Sequence, residues 1–265
     1  MIVTSATPET SPTNATVTCT IGLLYPGYGA EDDFSAAEER YAGAVRLPLV
    51  HTSVGEDAHR VDALLDLGSS ARLAEGAADL VADESGTKPD SVMWACTSGS
   101  FVFGWDGARQ QVDELATMLG LPVSSTSIAF VNAAQALGLR RVAVAASYPA
   151  DVADRFVEFL AKGGLEVTGT DSHDILTAAE VGRLDRDAVL NLVRGIDTSG
   201  ADALLVPDTA MHSLAWLDEL ETAAGKPVLT ANQVTVWEGL RLLGPVPSAQ
   251  GMGSLFSEPG AGGET

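Results

Sequence analysis

Basic residues are scarce in this chain. Its 265 residues include 36 Asp and Glu but only 15 Lys and Arg, a formal charge of −21. Binding to nucleic acid calls for clustered Lys and Arg that neutralise phosphates, so this balance argues against that class of partner. Cysteine is scarcer still, with Cys19 and Cys96 the whole complement. That is too few for a disulfide framework, and neither a CxxC pair nor an HExxH motif points to a metal. The histidines, His51, His59, His173 and His212, are scattered. No apolar run has the length needed to span a bilayer, and no basic amphipathic stretch suggests a membrane surface. The N-terminus lacks the basic and apolar regions of a secretory signal. GxGxxG and GxxxxGK[ST] are both missing, which argues against a nucleotide cofactor. The expectation is a cytoplasmic protein with reduced thiols, no cofactor, and neither nucleic acid nor membrane as partner. A homo-oligomer is left open.

What the chain does have is apolar content, 46% of its residues, arranged in an alternating rhythm. Apolar runs at 20–25, 45–50, 91–95, 141–146, 165–168, 203–206 and 227–230 read as strands. Between them, helical spacing appears over 57–84 (with a break at Gly68-Ser69-Ser70), 106–119, 150–162, 185–194 and 213–223. Glu31-Asp32-Asp33 reads as a solvated loop. Residues 1–17, rich in Ser, Thr and Pro, read as a flexible tail, and the Gly- and Pro-rich 244–265 as a segment docked through Leu255-Phe256. Alternation of this kind predicts an α/β fold with parallel sheets covered on both faces, and ligands beyond the carboxyl ends of the strands.

Two strand ends stand out. One apolar run stops at Cys96-Thr97-Ser98, the other at Pro207-Asp208-Thr209. Leu121-Pro122-Val123-Ser124-Ser125 and Lys226-Pro227-Val228-Leu229-Thr230 follow them at matching places, and each leads into a helix that closes on Leu-Gly. The chain therefore reads as two similar halves related by a pseudo-twofold, each presenting one group able to carry a proton. A cysteine at a strand end, beside backbone amides and hydroxyls, is a candidate nucleophile; it is equally a small residue that packs the strand end. Facing each other across a cleft, Cys96 and Asp208 could remove a proton from one face of a carbon and deliver one to the other. His212, four positions after Asp208, would face the same side if a helix began near Thr209; a partly exposed surface histidine is the plainer reading.

The stretches Ile21–Pro26, Ala95-Cys96-Thr97-Ser98-Gly99-Ser100, Leu137–Ala143 and Gly225–Gln233, with Tyr148 and Gly253–Phe256, carry a resemblance. It covers nearly the whole chain from about Thr20. The sequence resembles the aspartate/glutamate racemase superfamily, in the branch of maleate cis-trans isomerases, arylmalonate decarboxylases and ectoine-utilisation EutA-like proteins. That resemblance implies two Rossmann-like halves around a cleft and no cofactor or metal. The expected division is 18–120 with 228–265 as the first half and 121–227 as the second. The family has two cysteine positions, one per half. Cys96 matches the first; Asp208 stands where the second cysteine falls. Thr97 and Ser98 match hydroxyls that hold a substrate carboxylate, Tyr148 matches a tyrosine of the carboxylate pocket, Pro26 and Gly27 match the pocket wall, and Thr209 follows Asp208 as an amide donor.

The expectation from these residues is a cofactor-independent isomerase or racemase of a small carboxylic or dicarboxylic acid, similar to maleate isomerase, with Cys96 as nucleophile or base and Asp208 as the opposing acid or the group that tunes it. The alternatives are an arylmalonate-type decarboxylase in which Cys96 protonates an enediolate, and a small-acid binding protein without turnover.

Overall fold

Continuous apolar runs that are buried on both faces become parallel strands. The computed structural model describes residues 19–27, 29–82 and 88–257; the expected tail at 1–17 lies outside them. Strands β1 (Cys19–Tyr25), β2 (Val45–Arg46), β3 (Leu49–His51), β4 (Ser91–Trp94) and β5 (Val123–Ser125) make one sheet, in the order β2-β1-β4-β5 with β3 also on β1. Strands β6 (Arg141–Ala146), β7 (Glu166–Ser172), β8 (Ala203–Val206) and β9 (Val228–Thr230) make the other, in the order β7-β6-β8-β9. Every pairing is parallel. The single strand expected over 45–50 is two short ones. They are parted at Leu47-Pro48, where proline has no N–H to give a ladder.

The helices are α1 (Glu31–Arg40), α2 (Val61–Leu67), α3 (Ser70–Ala82), α4 (Ser98–Phe101), α5 (Gly104–Leu119), α6 (Thr126–Ala136), α7 (Ala150–Lys162), α8 (Ala178–Val181), α9 (Arg186–Gly195), α10 (Leu217–Ala224) and α11 (Ala231–Arg241). The expected 57–84 helix is broken between α2 and α3 at Gly68-Ser69. The stretch over 213–223 opens as a short 3-10 turn, Leu214–Trp216, before α10.

The acidic run Glu31-Asp32-Asp33, expected as a solvated loop, is instead the first turn of α1. Carboxylates there oppose the partial positive charge of the helix N-terminus. Phe34 and Ala37 pack into the core, and Asp33 is turned inward at 4% exposure. It accepts the N–H of Ser213 at 3.0 Å and of Leu214 at 3.3 Å, and Asn232 Nδ2 at 3.0 Å. It thereby ties the first half to the loop after β8.

The two sheets are built alike. β1, β4 and β5 correspond to β6, β8 and β9. Trp94 of β4 pairs with Ser125, and Val206 of β8 pairs with Thr230. Ser125 caps α6, and Thr230 caps α11 through a reciprocal bond with Gln233. Two strands change sides relative to the expected division: β5 pairs within the first sheet and β9 within the second. The chain crosses between halves only after each of these strands. α11 then packs back on β1 and β4 of the first sheet.

α6 and α11 lie against each other between the halves. α11 is buried from Ala231 to Leu240, so it carries polar groups that must find partners inside. Thr235 Oγ1 meets Thr126 Oγ1 at 2.6 Å. Glu238 accepts from Ser124 Oγ at 2.9 Å, Asn132 Nδ2 at 2.8 Å and Arg241 Nε at 2.6 Å. One apolar cluster runs through both halves, from Ile21 and Phe34 to Phe130, Phe156 and Trp237, and takes in Leu255 and Phe256 near the end of the described chain. No described helix is long and apolar enough to cross a membrane.

Candidate active site

Because the sheets correspond, the ends of β4 and β8 correspond. Cys96 follows Trp94 by two positions, as Asp208 follows Val206, and those are the residues paired to Ser125 and Thr230. Both side chains line one cavity of about 190 Å³ between the halves. For scale, a cavity of about 150 Å³ holds a benzene.

Cys96 is 3% exposed. The chain turns into α4 directly after it, which brings the Gly99 N–H to within 3.3 Å of Sγ and Ser98 Oγ to 3.9 Å. Burial pushes the thiol up to about 12, with the Asp208 carboxylate adding to the rise and the Gly99 and Ser98 donors opposing it. The sulfur therefore rests as a thiol. The turn that carries it is braced from behind: Gln111 Nε2 donates to Gly68 O at 2.7 Å and to Gly99 O at 3.0 Å.

Asp208 is equally enclosed. Its Oδ2 accepts from Ser147 Oγ at 2.5 Å and its Oδ1 from the Ala210 N–H at 3.0 Å. Burial raises the carboxyl above its ordinary range, while His59, Ser147 and the Ala210 amide work against the rise. The Tyr25 hydroxyl donates to Thr209 O at 3.0 Å and accepts the Ala30 N–H at 3.1 Å. A first-sheet strand end thus fixes the turn that follows Asp208. Burial raises the Tyr25 phenol as well.

Of the residues singled out from sequence, Pro26, Gly27, Cys96, Ser98, Asp208 and Thr209 line the cavity. Thr97 and Tyr148 stand behind its wall, each 1% exposed. Tyr148 packs edge-on to His59, ring centroids 4.9 Å apart, and to Phe101 at 5.7 Å. Burial and the nearby Asp208 and Cys96 hold its phenol above the ordinary range, opposed in part by the Thr97 and Ser98 hydroxyls. Thr97 Oγ1 makes no hydrogen bond of acceptable geometry, a buried polar atom without a partner. His212 does not reach Asp208. Residues 209–213 form a turn rather than a helix, and His212 Nδ1 pairs with Asp32 Oδ1 at 3.0 Å.

The histidine at the site is His59, one of the four scattered along the sequence. It lies in the 52–60 loop, is 5% exposed, and places Nε2 4.0 Å from Asp208 Oδ2. Its backbone N–H donates to Leu176 O at 2.7 Å, and its Nδ1 lies 2.7 Å from Ile175 O. No local motif marks it; its partners are supplied by the other half of the molecule. The same loop is clasped further out, where the Asp57 carboxylate accepts the N–H groups of Ala178 and Ala179 at 2.8 and 3.1 Å. Among the described residues the cavity wall carries Glu56, Asp57 and Asp208 but no Lys or Arg. Arg60, outside it, holds Glu56 through two bonds of 2.9 and 3.2 Å. Leu64, Leu67 and Val54 give the wall an apolar side. Among the described residues no group of His, Cys, Asp and Glu is placed to hold a metal ion.

The arylmalonate decarboxylase family model matches residues 69–256, which contain both strand ends. The chain belongs to the arylmalonate decarboxylase family. Within it, an arylmalonate decarboxylase of Bordetella bronchiseptica is 34% identical over 142 residues, 52% of this chain and 59% of that protein. A maleate isomerase of Geobacillus stearothermophilus is 31% identical over 137 residues, 51% of this chain and 55% of that protein. The chain thus spans under two thirds of the length of these two relatives. In three dimensions it superposes on a Nocardia farcinica maleate cis-trans isomerase variant holding a covalently bound succinylcysteine intermediate. The TM-score is 0.81 at 24% identity, covering 90% of this chain and 98% of that one. This family member therefore has the fold expected of it, two parallel-sheet halves around a cleft. A thiol and a carboxyl group enclosed together can exchange protons with a carbon acid between them, and the thiol can add its sulfur to an activated double bond.

Proposed function

We propose that this protein is a cofactor-independent isomerase or racemase of a small carboxylic or dicarboxylic acid, with Cys96 as nucleophile or base. The observation that carries the reading is the opening of Cys96 and Asp208, from equivalent strand ends, onto one enclosed cavity. The succinylcysteine in the Nocardia farcinica enzyme supports a sulfur-linked route for an unsaturated diacid. On that route the Cys96 S–H bond breaks and its proton passes to the Asp208 carboxylate. The thiolate then bonds to one alkene carbon, and the π electron pair moves onto the neighbouring carboxylate as an enediolate. Rotation about the new single bond and expulsion of the sulfur return the geometric isomer, and the proton goes back to sulfur.

Substrate carboxylates are held by short-range donors, since no Lys or Arg among the described residues lines the wall. Ser98 and the Thr209 segment, which line the wall, are the groups assigned to that task, backed by Thr97 and Tyr148 behind it, with Pro26 and Gly27 shaping the wall. Oriented donors in a water-excluding site stabilise developing negative charge far better than the same groups in water. The same reading has the enzyme working in the cytoplasm, where Cys19 and Cys96, neither in a disulfide, stay reduced.

A second reading is favoured by the apolar side of the wall at Val54, Leu64 and Leu67. A malonate with an apolar substituent would seat that substituent there, lose carbon dioxide and take a proton from Cys96 on the resulting enediolate. Proton NMR of the purified protein with maleate, aspartate and phenylmalonate in deuterated buffer, with carbon dioxide followed in parallel, separates the readings. Fumarate from maleate, or deuterium at the α-carbon of aspartate, is the expected result. Carbon dioxide from phenylmalonate alone replaces it with the second reading. Binding without turnover of any of the three overturns both.

A further inference from the structure

The Ile175 carbonyl can only accept a hydrogen bond, so Nδ1 of His59 must be the donor across their 2.7 Å contact. The neutral ring then has its lone pair on Nε2, and that atom faces Asp208 Oδ2 at 4.0 Å. The ring cannot easily turn away. Its backbone is tied to Leu176, Tyr148 stands edge-on to its face, and Asp57 clasps the loop that carries it. A separation of 4.0 Å is too long for a hydrogen bond, but catalytic contacts are often long before substrate tightens the site.

We propose that His59 and Asp208 work as one proton-carrying pair facing Cys96 across the cavity, with His59 the positioning residue that acts through Asp208. The pair as a whole supplies the second acid. It rests on the isomerase reading above and deepens it. The proton balance is closed within three groups. With the pair in its imidazolium–carboxylate form, Asp208 takes the proton when the S–H bond of Cys96 breaks. The charge on sulfur is then balanced by the imidazolium, and the proton returns to sulfur when the substrate leaves. This supplies what a buried carboxylate alone lacks, because an uncompensated Asp208 carboxylate opposes ionisation of the thiol it must deprotonate. Ser147 and the Ala210 amide hold the Asp208 oxygens in place, and Asp57, Glu56, Tyr148 and Tyr25 are ionisable groups around the pair and its cavity.

The test uses His59→Asn, whose amide can still donate to Ile175 O but has nothing in place of Nε2. The rate of Cys96 alkylation by iodoacetamide at pH 8 is measured by mass spectrometry in four proteins: wild type, His59→Asn, Asp208→Asn and the double variant. This readout needs no substrate. The expected result is that His59→Asn slows alkylation about tenfold in the wild-type background and has no effect in the Asp208→Asn background. A smaller side chain would open the cavity and speed alkylation, so slowing is not a steric effect. An equal effect in both backgrounds, or none in either, overturns the pair. With an acid the enzyme converts, His59→Asn should lower kcat about 100-fold with KM within a few-fold, and the double variant should be no worse than Asp208→Asn. Cys96→Ala that keeps its activity would sink the isomerase reading, while the alkylation cycle still decides the pair.

Discussion

The Asp57 carboxylate accepts the backbone N–H of Ala178 at 2.8 Å, a bond that spans the two halves. It caps the start of α8 from outside that helix's own sequence, and with His59 it latches the 52–60 loop over the cavity. Asp57→Ala should lower stability by about 1 kcal/mol, as loss of a helix cap does. It should also speed hydrogen exchange at the Ala178 and Ala179 amides and raise KM more than it lowers kcat. Mass-resolved exchange checks the latch directly; unchanged exchange at 178–179 would mean the loop is held by other contacts.

The high-lying Cys96 thiol has a consequence for stability with a definite sign. Its folded-state value, about 12, lies above its ordinary 9.0. A raised value contributes stability that is fully present below the unfolded value and lost as pH climbs through the folded one. Stability should therefore fall between pH 9 and pH 12. The tyrosines Tyr25 and Tyr148, also raised by burial, push the same way. Cys96→Ala removes only the thiol, so urea titrations over that window should show a shallower fall in the variant than in the wild type.

The turn behind Cys96 is packed without slack. A Cβ on Gly68 would lie 2.0 Å from Gly99 O and 2.8 Å from Gln111 Nε2. Gly68→Ala must displace the backbone of Gly99, whose own N–H reaches the sulfur. We expect about 1–3 kcal/mol of destabilisation, with a fall in kcat beyond what the loss of folded protein explains. Thermal melts and kcat on the soluble fraction separate the two effects.

Much of this was legible in the chain itself. Strands that end at Cys96 and Asp208 announce themselves because fully buried parallel strands are continuous apolar runs cut off by small polar residues. The repeat of Ser125 and Thr230 before their helices is visible because an N-cap needs a side-chain oxygen. Other parts depend on contacts no local pattern encodes. Asp33 reads as one more acid in a solvated run until Ser213, Leu214 and Asn232 are brought to it. His59 sits in a loop of Gly, Glu, Asp and Ala, and its significance comes from Ile175 and Asp208. His212 looked closer to Asp208 only on the assumption of a helix that the chain does not form there. The boundary between halves is not legible at β5 and β9, because each is the last strand of one sheet and the entry to a helix that joins the halves.

The seam between α6 and α11 makes a separate prediction. Glu238 is fully buried and accepts from Ser124, Asn132 and Arg241. Glu238→Ala leaves these donors without their acceptor and should cost about 2–4 kcal/mol. Chemical denaturation checks it; a cost below about 0.5 kcal/mol would show that water repairs the gap.

The central claim is that the Cys96 sulfur takes part in the chemistry, and the most direct test is the turnover of Cys96→Ala beside wild type on whichever of maleate, aspartate or phenylmalonate the enzyme converts. The account predicts a loss of about 10³-fold or more in kcat, with near-neutral thermal stability unchanged or improved. Activity within a few-fold of wild type in a folded variant would contradict it.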